Sequence, residues 1–389
     1  YTKFEKFRPS INWRSFTSST KVFILNSNHA LSSCPHHHHY HYHHIAYPEM
    51  TMNGNTESNK FFNRPSLLIS LVVLIFLCTL QIDLIRGAFE DGNNNNVKIT
   101  THGLELTQAI NLQRQEYLQK QCELLGYNNE TLDDLTEAQM EHMLIDPVHK
   151  FMYCYVPKVA CTNWKRMLMI LTGSWTNGTD PLQISASLAH SVGMFQKFSA
   201  LTAEDRAKVL SEYTRFMLVR HPFERLLSAY RNKLEGDTAS ARYFQTRVGR
   251  HIIKAFRANA SNHSLEYGDD VNFAEFVQYL LTPQVSVANH SYNEHWEPIA
   301  KLCNPCVMKY NVIGKYETLL DDSALALYLT GEKNLTFPTG HKSSNTRNFL
   351  RTYFDPLPIG AIRHLYEIYM DDFRLFDYGL DDVLGFEFG

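Results

Sequence analysis

Apolar positions along the chain follow three rhythms. The first is an unbroken run. No residue between Arg64 and Asp83 is charged, and the centre reads Leu67-Leu68-Ile69-Ser70-Leu71-Val72-Val73-Leu74-Ile75-Phe76-Leu77. About 20 such residues cross a bilayer, and this 18-residue window is at the short end, which suits a thinner early-secretory membrane. It predicts a signal anchor over 65–86, with Lys60 and Arg64 placing the preceding tail, 1–64, in the cytoplasm. A cleaved signal peptide is the competing reading, with an unusually long apolar core. The second rhythm is helical. Leu104, Leu106, Ile110, Leu112 and Leu118 recur among polar residues over 101–145, and similar spacing marks 272–281 and 359–373.

The third rhythm is a pair of short strand-like runs with one grammar. Phe151 to Val156 is apolar and rich in β-formers, Pro157 ends it, and a helix with Trp164, Leu168 and Leu171 on one side follows. Arg215 to Val219 is ended by Arg220-His221-Pro222, and the next helix carries Phe223, Leu226, Leu227 and Tyr230. Strand, tight loop and helix, given twice, predict an α/β domain with a central parallel sheet flanked by helices, and Val312-Ile313-Gly314 reads as a further strand. Ligands of such sheets bind at the carboxyl ends of strands, so both loops fall on one edge. The expected order is then a tail (1–64), an anchor (65–86), a stem with a leading helix (87–145) and a lumenal domain (146–389).

Composition narrows the function classes. The net charge of −3 excludes a global basic field for nucleic acid. Residues 1–49 contain His36 to His39 followed by Tyr40, His41, Tyr42, His43 and His44; they read as a disordered tail, or as sequence upstream of a start at Met50 or Met52, rather than a metal site. Six glycosylation sequons, at Asn129, Asn177, Asn259, Asn262, Asn289 and Asn334, all follow the apolar run, which agrees with a lumenal body. Five cysteines follow it too: Cys122, Cys154, Cys161, Cys303 and Cys306. With no second CxxC for zinc, a local Cys303–Cys306 disulfide is expected, and the odd count leaves one thiol free or bonded to another chain.

The two loops carry the chemistry. Pro157-Lys158-Val159-Ala160-Cys161-Thr162-Asn163 places a lysine, a hydroxyl and backbone N–H groups at a helix N-terminus, a ready anion site. A Walker A loop is absent. In Arg220-His221-Pro222-Phe223-Glu224-Arg225-Leu226-Leu227-Ser228, an Arg fork and a hydroxyl can grip a phosphate.

Together the loops resemble the 5′-phosphosulfate and 3′-phosphate elements of Golgi carbohydrate sulfotransferases, in the branch of chondroitin 4-O-, dermatan 4-O- and HNK-1 sulfotransferases. Pro157 to Lys165 matches P-K-x-[AG]-C-[TS]-x-W-K, and Arg220 to Tyr230 matches R-x-P-x-x-R-x-x-S-x-Y. Asn293-Glu294-His295-Trp296, Leu302 to Cys306 and Ile313 to Thr318 extend the resemblance over roughly 145–380, and Tyr153 to Arg166 looks most like the chondroitin 4-O enzymes. His221 departs, standing where that branch often carries an acidic residue. The resemblance implies a single-pass type II Golgi membrane enzyme of sulfotransferase fold. It would use 3′-phosphoadenylyl sulfate and no metal, and would act on glycosaminoglycan chains, with a homo-oligomer left open. Residues 157–163 would hold the phosphosulfate, Lys158 and Thr162 nearest the transferring group; residues 220–228 would hold the 3′-phosphate through Arg220 and Ser228. Trp164 is expected to pack rather than stack on adenine, and Lys165 to face either phosphosulfate or solvent.

Transfer to a hydroxyl benefits from a base. His295 is the first candidate, with His190 and Glu294 as alternatives. Arg247, Arg250, Lys254 and Arg257 recur at helical spacing in a stretch, Thr238 to Leu265, without Asp or Glu, and are expected to bind the glycan. The leading expectation is sulfation of the 4-hydroxyl of N-acetylgalactosamine in chondroitin. Dermatan or an N-linked glycan as acceptor, and a non-catalytic glycan-binding protein, are the alternatives.

Overall fold

The computed structural model describes residues 101–285, 292–332, 334–339 and 345–380. The expected tail, the anchor and Asn289 lie outside them, and no helix among the described residues is long and apolar enough to cross a membrane. In chain order the main elements are α1 (Thr101–Leu124), β1 (Met143–Asp146), β2 (Phe151–Cys154), α2 (Cys161–Leu171), β3 (Gln196–Lys197), α3 (Ala203–Glu212), β4 (Thr214–Val219), α4 (Pro222–Lys233), α5 (Ala239–Phe244), α6 (Arg250–Phe256), α7 (Phe273–Leu280), α8 (Ile299–Cys303), β5 (Val312–Lys315), α9 (Leu319–Leu329), α10 (Thr346–Phe354), α11 (Ile359–Ile368) and α12 (Met370–Leu375).

The five strands form one sheet in the order β3-β1-β2-β4-β5. β2, β4 and β5 are parallel, as their unbroken apolar runs predict, and helices cover both faces. The sheet is nevertheless mixed, which corrects the all-parallel expectation: β1 runs antiparallel to both β2 and β3. The cause is local. The buried Asp146 carboxylate accepts the N–H groups of Val148 (2.9 Å) and His149 (3.3 Å), making a tight turn that returns the chain as a hairpin. The boundary expected near residue 145 therefore falls inside β1.

The first core fills the space between sheet and helices. Trp164 is fully buried there, 4.5 Å from Phe216 between ring centroids, with Nε1 donating to Ser323 Oγ at 3.2 Å. It is a packing residue. Gly314 allows the closest approach of β5, since a Cβ there would sit 2.5 Å from Leu218 Cδ2 and 2.9 Å from Asp322 Cβ. A second core joins α4 to α7, α10 and α11 through Phe223, Leu227, Phe276, Phe354 and Leu365.

Helix α1 buries Leu118 of the apolar stripe read from the sequence, but its N-terminal half docks by its polar side. Leu106, Ile110 and Leu112 are exposed. Asn111 acts like a strand segment on the sheet edge, donating to Asn311 O at 2.7 Å and accepting from Ile313 N at 2.9 Å. Arg114 reaches both oxygens of the buried Asp322 at 2.9 Å. Side-chain amides thus satisfy edge groups that would otherwise invite another strand.

The cysteines pair differently from expectation. The bridges are Cys122–Cys306 and Cys154–Cys303, and Cys161 is the free thiol. Asn304, in the left-handed region at φ 45°, breaks the chain between Cys303 and Cys306 into two short helices. Cys303 consequently points into the core beside β2, while Cys306 meets α1. Asn129, Asn177, Asn259, Asn262 and Asn334 all stand at exposed positions. Non-reducing peptide mapping is expected to find the two long-range bridges. Replacing both Cys122 and Cys306 with Ser should cost about 2–4 kcal/mol in denaturant unfolding, because the bridge restrains a long unfolded loop. Recovery of a Cys303–Cys306 peptide would contradict the assignment.

Candidate active site

The loop after β2 is turned by two non-glycine residues in the left-handed region, Lys158 at φ 73° and Ala160 at φ 55°. Each such residue costs on the order of 1 kcal/mol and persists only where its surroundings hold it. Here the holding group is Arg225 of α4, 1% exposed. Its Nε donates to Pro157 O at 3.0 Å, one terminal nitrogen to Glu297 O at 2.6 Å and the other to Glu294 O at 2.9 Å. Arg220 adds a bond to Lys158 O at 3.3 Å, pairs with Glu224 Oε2 at 3.3 Å and lies 4.1 Å from the Tyr316 ring centroid. The two loops and the Asn293–Glu297 turn are therefore one unit. That unit opens α2 with no side-chain cap, leaving its first-turn N–H groups for an anion.

Around this opening stand several charged or titratable side chains. Burial, with Lys233 next in weight, pushes the Lys158 ammonium down to about 8. Lys165 is buried, its Nζ 3.7 Å from the Tyr155 ring centroid and 3.5 Å from His190 Nδ1. Thr162 Oγ1 lies 2.9 Å from His190 Nε2. Burial, then Lys165, pushes His190 down to about 4. His295 Nδ1 lies 2.6 Å from Asn293 Oδ1, and burial followed by Lys233 and Lys158 pushes the ring down to about 2. His295 is thus a neutral imidazole whose Nδ1–H is committed. Its Nε2 makes no hydrogen bond among the described residues. Glu294 accepts from Tyr155 OH at 3.4 Å and lies 3.7 Å from His142 Nε2.

The contiguous spans 157–163 and 220–228 do not all face the opening. Val159, Phe223, Leu226 and Leu227 are core residues. Arg225 spends its donors on protein carbonyls, which makes it a positioning residue. Pro222 begins α4. His221 caps that helix: Phe223 N–H donates to its Nδ1 at 3.2 Å, so Nε2 carries the proton and donates to Gly379 O at 3.0 Å. An acidic side chain would also cap a helix there, which accounts for the departure at this position. Cys161 is a thiol whose burial pushes its ionisation up. Asn163 accepts from Arg166 at 2.9 Å. Ser228 is buried two turns into α4.

Three residues of the expected basic stripe, Arg247, Arg250 and Lys254, are exposed, and the fourth, Arg257, is drawn into ion pairs. A π-helical turn over Gln245–Gly249 shifts the helical phase. Arg257 is bound to Asp270 and to Glu275, both at 2.6 Å, and these partners raise its ionisation further. Arg250 donates to Leu265 O at 3.0 Å. Arg247 and Lys254 are exposed. The sequence did not single out Lys233, at the far end of α4, whose burial depends on tertiary packing.

Residues 141–379 match the profile described as "Sulfotransferase family". The chain is 40% identical over 252 residues to carbohydrate sulfotransferase 11 of Mus musculus, covering 64% of this chain and 70% of that one. It is 37% identical over 248 residues to carbohydrate sulfotransferase 14 of Danio rerio (63% and 64%) and 33% identical over 250 residues to carbohydrate sulfotransferase 8 of Homo sapiens (63% and 57%). No solved structure matches the chain at a significant level.

Arg225→Met should strip three carbonyls of a charged donor, costing at least about 3 kcal/mol and lowering Tm by ~10 °C. Arg225→Lys should not restore the loss, because one ammonium cannot span three diverging acceptors. Differential scanning calorimetry on both variants checks this; an unchanged Tm in Arg225→Met would remove the clamp from the account.

Proposed function

The chain belongs to the sulfotransferase family, and we propose that it transfers a sulfuryl group from 3′-phosphoadenylyl sulfate to the 4-hydroxyl of N-acetylgalactosamine in chondroitin. The observation that carries the donor assignment is the uncapped N-terminus of α2 beside Lys158. This half-buried ammonium has no carboxylate partner among the described residues, and the Arg220 guanidinium also bears on it. Buried cations are ordinarily paired. A multiply anionic nucleotide supplies the missing charge, so the residues fit it. The donor brings an activated sulfuryl group whose transfer needs in-line geometry and stabilised equatorial charge, as phosphoryl transfer does.

The chain's own residues then divide the work. The first-turn N–H groups of α2, Lys158 and the Thr162 hydroxyl bind the phosphosulfate end, and Lys158 neutralises charge growing on the leaving oxygen. Arg220, at the end of β4, and Ser228, two turns into α4, take the 3′-phosphate. His295 is the base: Asn293 fixes its tautomer, and the Nε2 lone pair accepts the acceptor's hydroxyl proton as attack proceeds. His190 is less suited, because its two ring nitrogens already meet Thr162 and Lys165. The acceptor assignment rests on the match of Tyr153 to Arg166 to the chondroitin 4-O enzymes and on relatives named carbohydrate sulfotransferases. Two long-range disulfides and exposed sequons support a Golgi lumenal body on a single N-terminal anchor, type II.

Incubation with labelled donor and desulfated chondroitin, followed by disaccharide analysis, is expected to yield 4-sulfated N-acetylgalactosamine. Glycan binding with no sulfate incorporated would favour a non-catalytic role. His295→Ala should lower kcat by about 10²–10⁴-fold while leaving the affinity for adenosine 3′,5′-bisphosphate within about twofold. Near-normal turnover would remove His295 as the base, and a larger loss in His190→Ala would transfer the role there.

A pH series follows from Lys158. The empty protein sheds this proton as pH rises through about 8, whereas a bound anion favours the charged form and retains it. Affinity for the bisphosphate should therefore be lost above pH 8, by up to about tenfold per pH unit, and Lys158→Arg should flatten that limb. Titration calorimetry showing the same affinity on both sides of pH 8 would contradict the role of Lys158.

A further inference from the structure

Lys233 is 9% exposed and ends α4 near enough to Lys158 and His295 to lower the ionisation of both. Its Nζ donates to Ser240 Oγ of α5 at 2.7 Å and sits 4.8 Å from the Phe244 ring centroid. Phe244 in turn meets His295 edge-on at 5.2 Å. No carboxylate pairs with Lys233 among the described residues; Glu294 acts on it only through space. A buried ammonium held by one hydroxyl and one ring face still has a donor to offer and a charge to balance.

The surface leading outward from it has matching chemistry. Ser240 and Phe244 fall on one side of α5 at i, i+4 spacing, and Arg247 follows in the π-helical turn. Tyr243 is 54% exposed, with the Arg247 guanidinium 3.9 Å from its ring centroid. Aromatic faces interleaved with cations, in a stretch without Asp or Glu, complement a polysaccharide that alternates apolar sugar faces with carboxylates. The groups assigned to the donor, Lys158 and Thr162, belong to the loop after β2 and the first turn of α2.

We infer that Lys233 is a specificity-determining residue that binds the uronate carboxylate next to the accepting sugar, with Tyr243 and Arg247 carrying the chain onward over α5. The inference rests on the sulfotransferase reading of the site. It narrows the acceptor to polymers with a carboxylate beside the reacting residue, and it replaces the four-residue basic stripe with a path that begins at His295.

The test compares desulfated chondroitin with the same polymer after chemical reduction of its carboxyl groups. It uses the full chain and its Lys233→Gln and Lys233→Arg variants, with turnover, polymer affinity and bisphosphate affinity all measured. The unmodified chain should prefer the carboxylated polymer by at least about tenfold in kcat/KM, the worth of one charged hydrogen bond. Lys233→Gln should abolish the preference, chiefly through KM, and Lys233→Arg should restore part of it. Bisphosphate affinity and Tm serve as controls for the donor site and the fold. Equal loss on both polymers, or a fall in bisphosphate affinity, would overturn the inference by placing Lys233 with the donor or the base. So would a preference that survives Lys233→Gln. Absence of transfer by the unmodified chain to either polymer would defeat the chondroitin acceptor assignment, while the polymer-affinity comparison would still decide the role of Lys233.

Discussion

One buried guanidinium holds the site together. Arg225 donates to carbonyls from the loop after β2 and from the Asn293–Glu297 turn, while its own helix follows β4. Three segments far apart in sequence thereby acquire one fixed relation. The strained Lys158 and Ala160 backbone, the uncapped start of α2 and the orientation of His295 all depend on that relation. Without it, the carbonyl of Pro157 would lose its partner inside the protein and the left-handed turn would have nothing to hold it.

The electrostatic design follows from this rigidity. Lys158, Lys165, Lys233 and Arg220 are drawn into a partly dry region, where like charges repel and burial disfavours the charged form. The protein meets the cost by packing ammonium groups against aromatic rings, Lys165 on Tyr155 and Lys233 on Phe244, and by leaving Lys158 to be neutralised from outside. Burial, and the same cations after it, keep His295 and His190 neutral and disfavour proton uptake while the site is empty. An incoming polyanion relieves the repulsion, so binding and readiness for proton transfer are coupled.

Much of this is legible in the amino-acid chain itself. The two strand–loop–helix units, the packing role of Trp164 and the meeting of the loops on one sheet edge follow from local pattern and from the topology of parallel strands. The rest is not, for physical reasons. The apolar run Met143 to Ile145 is too short to separate from a helix by periodicity, so the antiparallel hairpin stays hidden. Disulfide partners are set by tertiary position: a single left-handed Asn304 turns Cys303 and Cys306 apart. Helix α1 buries Leu118 as periodicity predicts, but it plugs a sheet edge with Asn111 and Arg114, a role that periodicity does not mark. Arg257 resembles a glycan ligand because its partners, Asp270 and Glu275, lie just beyond the acid-free stretch. Lys233 carries no signal, since burial without a counter-charge is visible only once α5 is packed against α4.

The central claim is that two anion cradles, joined by Arg225, clasp opposite ends of one nucleotide. Titration calorimetry comparing adenosine 3′,5′-bisphosphate with adenosine 5′-monophosphate and adenosine 3′-monophosphate addresses it directly. The account predicts one site per chain, with affinity at least about tenfold weaker for each monophosphate, since each loses a set of charged hydrogen bonds. No measurable binding of the bisphosphate, or equal affinity for all three nucleotides, would contradict it.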